Sequence, residues 1–498
     1  DRLCFMVNNA IHPGEPCGVD ASIGWMREML ADEKSKSEYL ELMDFVIIPM
    51  YNVGGALNRN CCSRTNQDGP EFYGFRGNGR NLDLNRDFIK MDSQNAKAFV
   101  DLFHAAKPDV FVDTHTTNGA DYPYRMTLIT TQVDKAGPIV GPFLEDVFEP
   151  MLFDRMEEKG ESVIPYVNLR DEIPQNGIVG FLETPRYSTG YATLFSTLGF
   201  TAEAHMLKPF PERVQATKLL LQEISRLSLD LYDEIRAVRE GERMRLNKAR
   251  QLPVRWDLNM TDSSSIYFQG FGVRRELSAI TKSLRLRYDR SEVWQDSIPY
   301  WNAYETKTET ELPEYYVIPQ AWHEVIDRLA WNEIEMKPLP SDTALTLRVT
   351  YIESFNASTR AYEGHHMNRV DSIRVGIETV QFFKGDWVIS TQQENVRFLV
   401  ETLDPRAHDS FFTWNFFDSA LQQKEYFSSY VFEDTAFELL RNDEGLSANF
   451  EKWKEEFPEE MSDPRAQLEW LYRQSPHFEG TVNRYPVFRS LNGRFPSP

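Results

Sequence analysis

Four cysteines are too few to staple a chain of 498 residues, so a disulfide scaffold is excluded as its main source of stability. No Cys-x-x-Cys pair occurs, which removes the thiolate zinc sites. Cys61 and Cys62 are adjacent and Cys4 and Cys17 flank the first polar motif; buried free thiols are the expected state, with one disulfide as the rival. Long hydrophobic runs are missing as well. No stretch of about 18 apolar residues exists, so no membrane-spanning helix is expected. Basic side chains are in deficit, 54 Lys and Arg against 76 Asp and Glu, for a formal net charge of −22. That balance disfavours nucleic acid or an anionic membrane as partner, while leaving room for a local cationic pocket. Internal repeats and low-complexity linkers are absent too. The chain opens at Asp1 directly on an apolar strand, without an initiator methionine. Loss of upstream residues is therefore expected, with a periplasmic or secreted address favoured.

What is present exceeds one ordinary hydrophobic core and predicts two or three domains. The first part alternates short apolar β-type runs with longer helical periods, the pattern of an α/β unit around a largely parallel sheet. Strands are expected at Leu3 to Asn8, Phe45 to Pro49, Val110 to Thr114, Ile178 to Leu182 and Gly199 to Ala202. Helices are expected at Val19 to Leu30, Ser93 to Ala106 and Pro138 to Glu158, and one long charged helix from Pro211 to about Arg245 closes the unit. Near Gln251 the texture changes to more Trp and Tyr and shorter runs. Thr343 to Tyr351, Ser372 to Phe382 and Val396 to Glu401 alternate at period two and predict antiparallel strands, with a turn at Gly385-Asp386. The aromatic stretch Phe411 to Phe417 is expected in the core, and Glu433 to Arg473 reads as helical. The expected division is an α/β unit at 1–245 and a β-rich region at 246–498, the latter with a sandwich-like part near 340–405 and an aromatic, helical tail.

Residues of metal-binding and acid–base type stand at the ends of the apolar runs. His12 and Glu15 follow the first predicted strand, and in open α/β sheets ligands gather at the carboxyl ends of strands. Pro13 and Gly14 favour a turn between them, so both side chains can converge on one ion. His115 ends the run Val110 to Thr114. Two His and one Glu suit Zn²⁺ and leave a fourth position open, the arrangement of a catalytic site. A His-x-x-Glu spacing alone arises by chance in roughly one of two chains of this size, so the order of the whole set carries the reading. Glu203 closes Gly199 to Ala202 and is the candidate general base beside the metal, with His205 as a candidate to support it. Phe75 to Phe88 concentrates Arg76, Arg80 and Arg86 with glycines in one loop. Guanidinium groups bind carboxylates in two-pronged fashion, so such a loop can grip a substrate terminus, and a second arginine can stabilise an oxyanion. Three further patterns receive no role. His323-Glu324-Val325-Ile326-Asp327 has Asp where a second ligand histidine is needed, His365-His366 is isolated from partner ligands, and Gly74, Gly77 and Gly79 match no phosphate loop.

His12-Pro13-Gly14-Glu15, Asn85-Arg86 within Asp-Leu-Asn-Arg-Asp-Phe, His115 and Glu203, in that order, resemble the carboxypeptidase A-like zinc metallocarboxypeptidases over residues 1 to about 240. Asp113 to Asp121 looks most like the bacterial members that carry a C-terminal extension. The resemblance implies a three-layer α/β/α sandwich around a mixed, mostly parallel sheet. It implies one Zn²⁺ on His12, Glu15 and His115, Glu203 as general base and acid, and Asn85 and Arg86 on the substrate's terminal carboxylate. Arg76 would assist the oxyanion, with Arg80 as the alternative occupant. The family's mobile tyrosine matches either Tyr187 or Tyr191. The implied reaction is hydrolysis of a C-terminal peptide bond in a substrate with a free carboxylate. Two other readings stay open: a zinc-dependent deacylase or amidase acting on N-acyl amino acids or cell-wall peptides, and a non-catalytic protein that binds carboxylates or glycans.

Overall fold

Apolar residues on both faces of a strand require cover on both faces, and the first strand shows this at once. In β1 (Leu3–Asn9), Leu3, Phe5 and Val7 enter one core cluster and Met6 enters another. The computed structural model describes residues 2–117 and 119–491; Asn118 of the Asp113–Asp121 motif lies outside the described residues. The strands that follow are β2 (Met43–Ile48), β3 (Val110–Thr117), β4 (Met126–Thr130), β5 (Val163–Pro165), β6 (Ile178–Val179) and β7 (Leu198–His205). The central sheet runs β2-β1-β3-β7-β4-β5. Only the β7–β4 pair is antiparallel, giving the mixed, mostly parallel sheet expected.

Helices Cys17–Ala31, Glu149–Glu158 and Phe210–Asp230 cover the face built from Leu3, Phe5, Val112 and Phe200. Helices Gln94–Ala106 and Ser188–Thr193 cover the other, where Phe99, Phe103 and Tyr191 meet Met6 and Phe111. The result is the three-layer arrangement. Gly18 permits the close seat of its helix on β3, because a Cβ there would lie 1.9 Å from Thr114 Oγ1. Three elements depart from the sequence reading. The strand expected at Ile178 to Leu182 shrinks to β6, which pairs with the long strand Leu284–Trp301 instead of the central sheet. Gly177 and Gly180 bracket it and break the run. The long helix divides into Phe210–Asp230 and Tyr232–Lys248 at Leu231, whose φ of −105° and ψ of 29° leave the helical region. The Pro138 to Glu158 helix contains a π-type turn at Leu144–Phe148, next to Pro150, which has no N–H to donate.

Beyond Gln251 the chain forms long antiparallel pairs, Gln251–Leu258 with Tyr304–Glu311 and Ser264–Leu277 with Leu284–Trp301. Thr343–Ala357 and Asn368–Phe382 also pair, within one six-stranded antiparallel sheet in place of the expected sandwich. Val396–Leu403 is an α-helix, which corrects the strand expected at Val396 to Glu401. Val396, Leu399, Val400 and Leu403 recur at helical spacing, but every residue of the helix is buried, so no polar face marks its period. Phe411, Phe412, Trp414 and Phe417 share one core with Phe99, Phe103 and Tyr191, which ties the α/β unit to the C-terminal region. The tail is helical over Ser429–Asn442, Glu444–Glu456 and Pro464–Arg473. Cys4 and Cys17 are buried thiols, whereas Cys61 and Cys62 form a disulfide, so the expectation of free thiols fails at that pair.

Candidate active site

β1, β3 and β7 are neighbours at the centre of the sheet, and their carboxyl ends open on one cavity of about 310 Å³. β1 runs into a tight turn in which the Glu15 N–H donates to the His12 carbonyl at 2.8 Å, bringing the two side chains together. The loop that follows β2 packs onto this turn. Gly74 makes that possible, since a Cβ there would lie 2.4 Å from Pro13 Cβ. In β3, residues 111, 113 and 115 share a face by strand alternation, and His115 lies in register with Glu203 of β7.

His12, Glu15 and His115 place one ligand atom each within 4.8 Å of one another and are all buried. His12 Nδ1 lies 3.2 Å from Glu15 Oε1, and His115 Nδ1 lies 3.2 Å from Glu15 Oε2. The opposite ring nitrogens are tied to carboxylates. His12 Nε2 donates to Asp83 Oδ1 at 2.9 Å, and His115 Nε2 donates to Asp113 Oδ2 at 3.0 Å. With Nε2 committed to its carboxylate, each ring turns Nδ1 toward Glu15, the orientation a metal ion requires. His12 Nδ1 is buried without a hydrogen-bond partner among the described residues, as expected for an atom that awaits a ligand. The donor set and the orphaned nitrogen both fit a metal ion.

Glu15 is fixed by Arg64 Nη1 at 2.8 Å on Oε1 and the Thr116 N–H at 2.8 Å on Oε2. Burial raises its pKa, but Arg64 and His12 outweigh burial and hold the carboxyl well below the usual range. For His115 burial works downward, and Asp113 and Glu15 overcome it to hold the ring well above its ordinary value. Glu203 lines the cavity with its Oε2 free of any hydrogen-bond partner among the described residues. Burial pushes its carboxyl up to about 7, with His115 opposing.

Arg76, Asn85 and Arg86 line the same cavity. Arg76 Nε donates to Asp83 Oδ2 at 3.0 Å, and its Nη1 lies 3.6 Å from Glu15 Oε1. Arg86 lies over the Tyr187 ring at 4.5 Å, and its Nε donates to the Tyr362 hydroxyl at 2.8 Å. Four expectations fail. Arg80 is exposed, outside the cavity lining, and donates to the Asp92 carbonyl at 3.0 Å, because the loop turns at Asn78–Asn81 and carries it away. Tyr191 is fully buried in the aromatic core, with its hydroxyl donating to Asn332 Oδ1 at 2.7 Å, so Tyr187 alone of the pair faces the cavity. His205 lies 3.5 Å from Asp121 and under the Tyr122 ring, away from the ligand cluster. His365 is not isolated either: its ring nitrogens meet Asp92 Oδ2 at 2.7 Å and Asn415 Oδ1 at 2.6 Å.

Sequence reasoning missed Asp83, Asp113, Arg64, Glu183 and Tyr362. Asp113 had a usable signal, two residues before His115 on one strand face, and Asp83 stands two residues before Asn85. Arg64 and Tyr362 lie 49 and 276 residues from the side chains they bind, Glu15 and Arg86. No local pattern reports such pairs.

No family model matches the chain. It is 21% identical over 424 residues to a protein named carboxypeptidase 2 from Trichophyton rubrum, covering 82% of this chain and 73% of that protein. Carboxypeptidase 2 of Trichophyton equinum is likewise 21% identical over 427 residues, with the same coverage. Among solved structures, a metallo-carboxypeptidase from Pseudomonas aeruginosa aligns at 19% identity with a TM-score of 0.35, covering 47% of this chain and 58% of that one. The chain is thus similar in sequence, over four-fifths of its length, to proteins named carboxypeptidase 2, and it carries a two-histidine, one-glutamate cluster at its strand ends.

Proposed function

We propose that the chain is a zinc-dependent metallocarboxypeptidase that removes the C-terminal residue of a peptide. The observation that carries the reading is one cavity in which Glu203, in register with His115, faces the His12–Glu15–His115 cluster while Asn85 and Arg86 stand in the same wall. His12, Glu15 and His115 would hold a single Zn²⁺, which when bound supplies Lewis acidity to water and to a carbonyl. Asp83 and Asp113 keep the Nε2 protons in place and so fix which imidazole nitrogen faces the ion.

Asn85 and Arg86 bind the terminal carboxylate of the peptide, with Arg86 steadied by the Tyr187 ring and the Tyr362 hydroxyl. Glu203 Oε2 takes a proton from the water whose oxygen adds to the scissile carbonyl carbon. The same carboxyl then returns that proton to the amide nitrogen as the C–N bond breaks. Arg76 stands beside Glu15 to stabilise the negative charge that develops on the carbonyl oxygen.

The test is mass spectrometry of a defined peptide mixture incubated with the zinc-loaded protein, with Glu203→Gln alongside. Single residues leave C-termini only with the intact protein, and the variant keeps its metal while turnover falls by about 10²–10⁴-fold. A Glu203→Gln protein that retains near-normal rates removes Glu203 from this role. Release of an acyl group from N-acyl amino acids, with peptides untouched, replaces the reading by a deacylase.

A further inference from the structure

The active-site cavity also contains a carboxylate that the hydrolytic steps do not use. Glu183 is 1% exposed and lines the cavity with Ile129, Ser188, Thr189 and Thr201. Its Oε1 accepts the Gln132 backbone N–H at 2.9 Å. The ammonium nearest to it is already engaged: Lys135 Nζ donates to the carbonyls of Glu183 at 2.6 Å and Gly190 at 3.4 Å, and stands 3.9 Å from Oε1. Glu183 Oε2 is buried without a hydrogen-bond partner among the described residues. A buried acceptor left open is costly, and a ligand that donates to it removes the cost.

Register places this oxygen away from the reacting bond. Glu203 pairs with Thr127 and Thr201 with Ile129, and Gln132, which holds Glu183, lies three residues beyond Ile129. The wall there carries the hydroxyls of Thr201, Thr189 and Ser188, the aliphatic Ile129 and the rings of Tyr166 and Phe181, and Glu183 is its one carboxylate among the described lining residues. Arg76 and Arg86 belong to the part of the cavity beside Asp83 and Tyr187. A terminal residue whose carboxylate sits on Arg86 can therefore send a long side chain along this wall to Glu183. An aliphatic stem suits Ile129 and the threonine methyls, and a nitrogen at its end meets the open oxygen.

We infer that Glu183 makes the cavity selective for C-terminal residues with a cationic side chain, lysine or arginine, whose N–H donates to Oε2. The inference rests on the carboxypeptidase reading for its role in turnover, but the pocket itself is testable without turnover.

Calorimetric binding of free L-arginine, L-lysine, L-phenylalanine and L-glutamate to the zinc-loaded protein is the first measurement. Arginine and lysine bind about tenfold or more tightly than phenylalanine, and Glu183→Gln abolishes the difference. The second is the ratio of kcat/KM for arginine- over phenylalanine-terminated peptides, which falls by about tenfold or more in Glu183→Gln. Equal binding of the four amino acids, tighter phenylalanine or glutamate, or an unchanged ratio in the variant overturns the inference. Cleavage of no peptide, with selective arginine binding intact, overturns the carboxypeptidase reading and leaves the pocket standing. The ligand comparison on the unmutated protein decides the matter even where Glu183→Gln does not fold.

Discussion

Replacing Asp83 by Asn leaves the volume almost unchanged and removes one negative charge at a point where donors from three residues converge. Oδ1 accepts from His12 Nε2 at 2.9 Å and from the Asn85 N–H at 3.0 Å, while Oδ2 meets Arg76 Nη2 at 2.9 Å and Nε at 3.0 Å. An asparagine has one oxygen to offer. Whichever way its amide turns, an NH₂ group faces the N–H of either His12 or Arg76. The hydrogen bond at stake on His12 is charge-assisted and contributes about 1.5–3 kcal/mol. At about 1.4 kcal/mol per factor of ten, that corresponds to roughly 10–100-fold in metal affinity, the range typical for a carboxylate behind a ligand histidine. Competition of the protein with a chromogenic chelator measures the affinity, and circular dichroism verifies that the variant is folded. A folded Asp83→Asn protein whose zinc Kd stays within about threefold of the parent refutes the assignment of Asp83 as the group that orients His12.

Three further outcomes follow from the same geometry. Tyr362→Phe removes the acceptor of the Arg86 Nε proton at 2.8 Å, so KM for peptides should rise by about tenfold with kcat little changed; a fall in kcat alone would place Tyr362 elsewhere in the cycle. Asp409→Ala leaves Arg186 without the carboxylate that takes its Nε at 2.8 Å and its backbone N–H at 2.9 Å, and should cost about 3–5 kcal/mol by denaturant titration; under about 1 kcal/mol would mean the pair does not clamp the two halves. His365 is the pH-sensitive link: burial lowers its pKa, but the hydrogen bonds with Asp92 and Asn415 outweigh burial and raise it, against the opposing charge of Lys90. A raised folded-state value means the stabilisation is complete below about pH 6.5 and is lost as pH rises through the folded pKa. Melting temperature should therefore decline above that point in the parent and be flatter in His365→Gln; parallel profiles would discard the link.

The periodicity of the sequence was sufficient for the α/β unit because its strands and helices are long enough to show their period, and covered strands read as apolar runs. It also set His12, Glu15, His115 and Glu203 at the end or just past the end of such runs, and these four line one cavity. It was insufficient for Val396–Leu403, which is buried on every side and so carries no polar face to distinguish helix from strand. β5, with three residues, was too short to show a period at all.

The primary sequence determined which residue types were available for chemistry and in what order, since turn residues and strand ends are local properties. Tertiary structure decided which of them meet. Asp83 and Asp113 became the partners of the two histidines through contacts that fold a loop and a strand onto β1. Arg80 and Tyr191 carried the same local credentials as Arg76 and Tyr187, and a turn and a packed aromatic core took them away from the cavity. Tyr362 reached Arg86 from 276 residues away, because one hydrophobic core holds the C-terminal region against the α/β unit. Hydrogen bonds and ion pairs act over a few ångströms of space, and separation along the chain does not predict that distance until the core has closed.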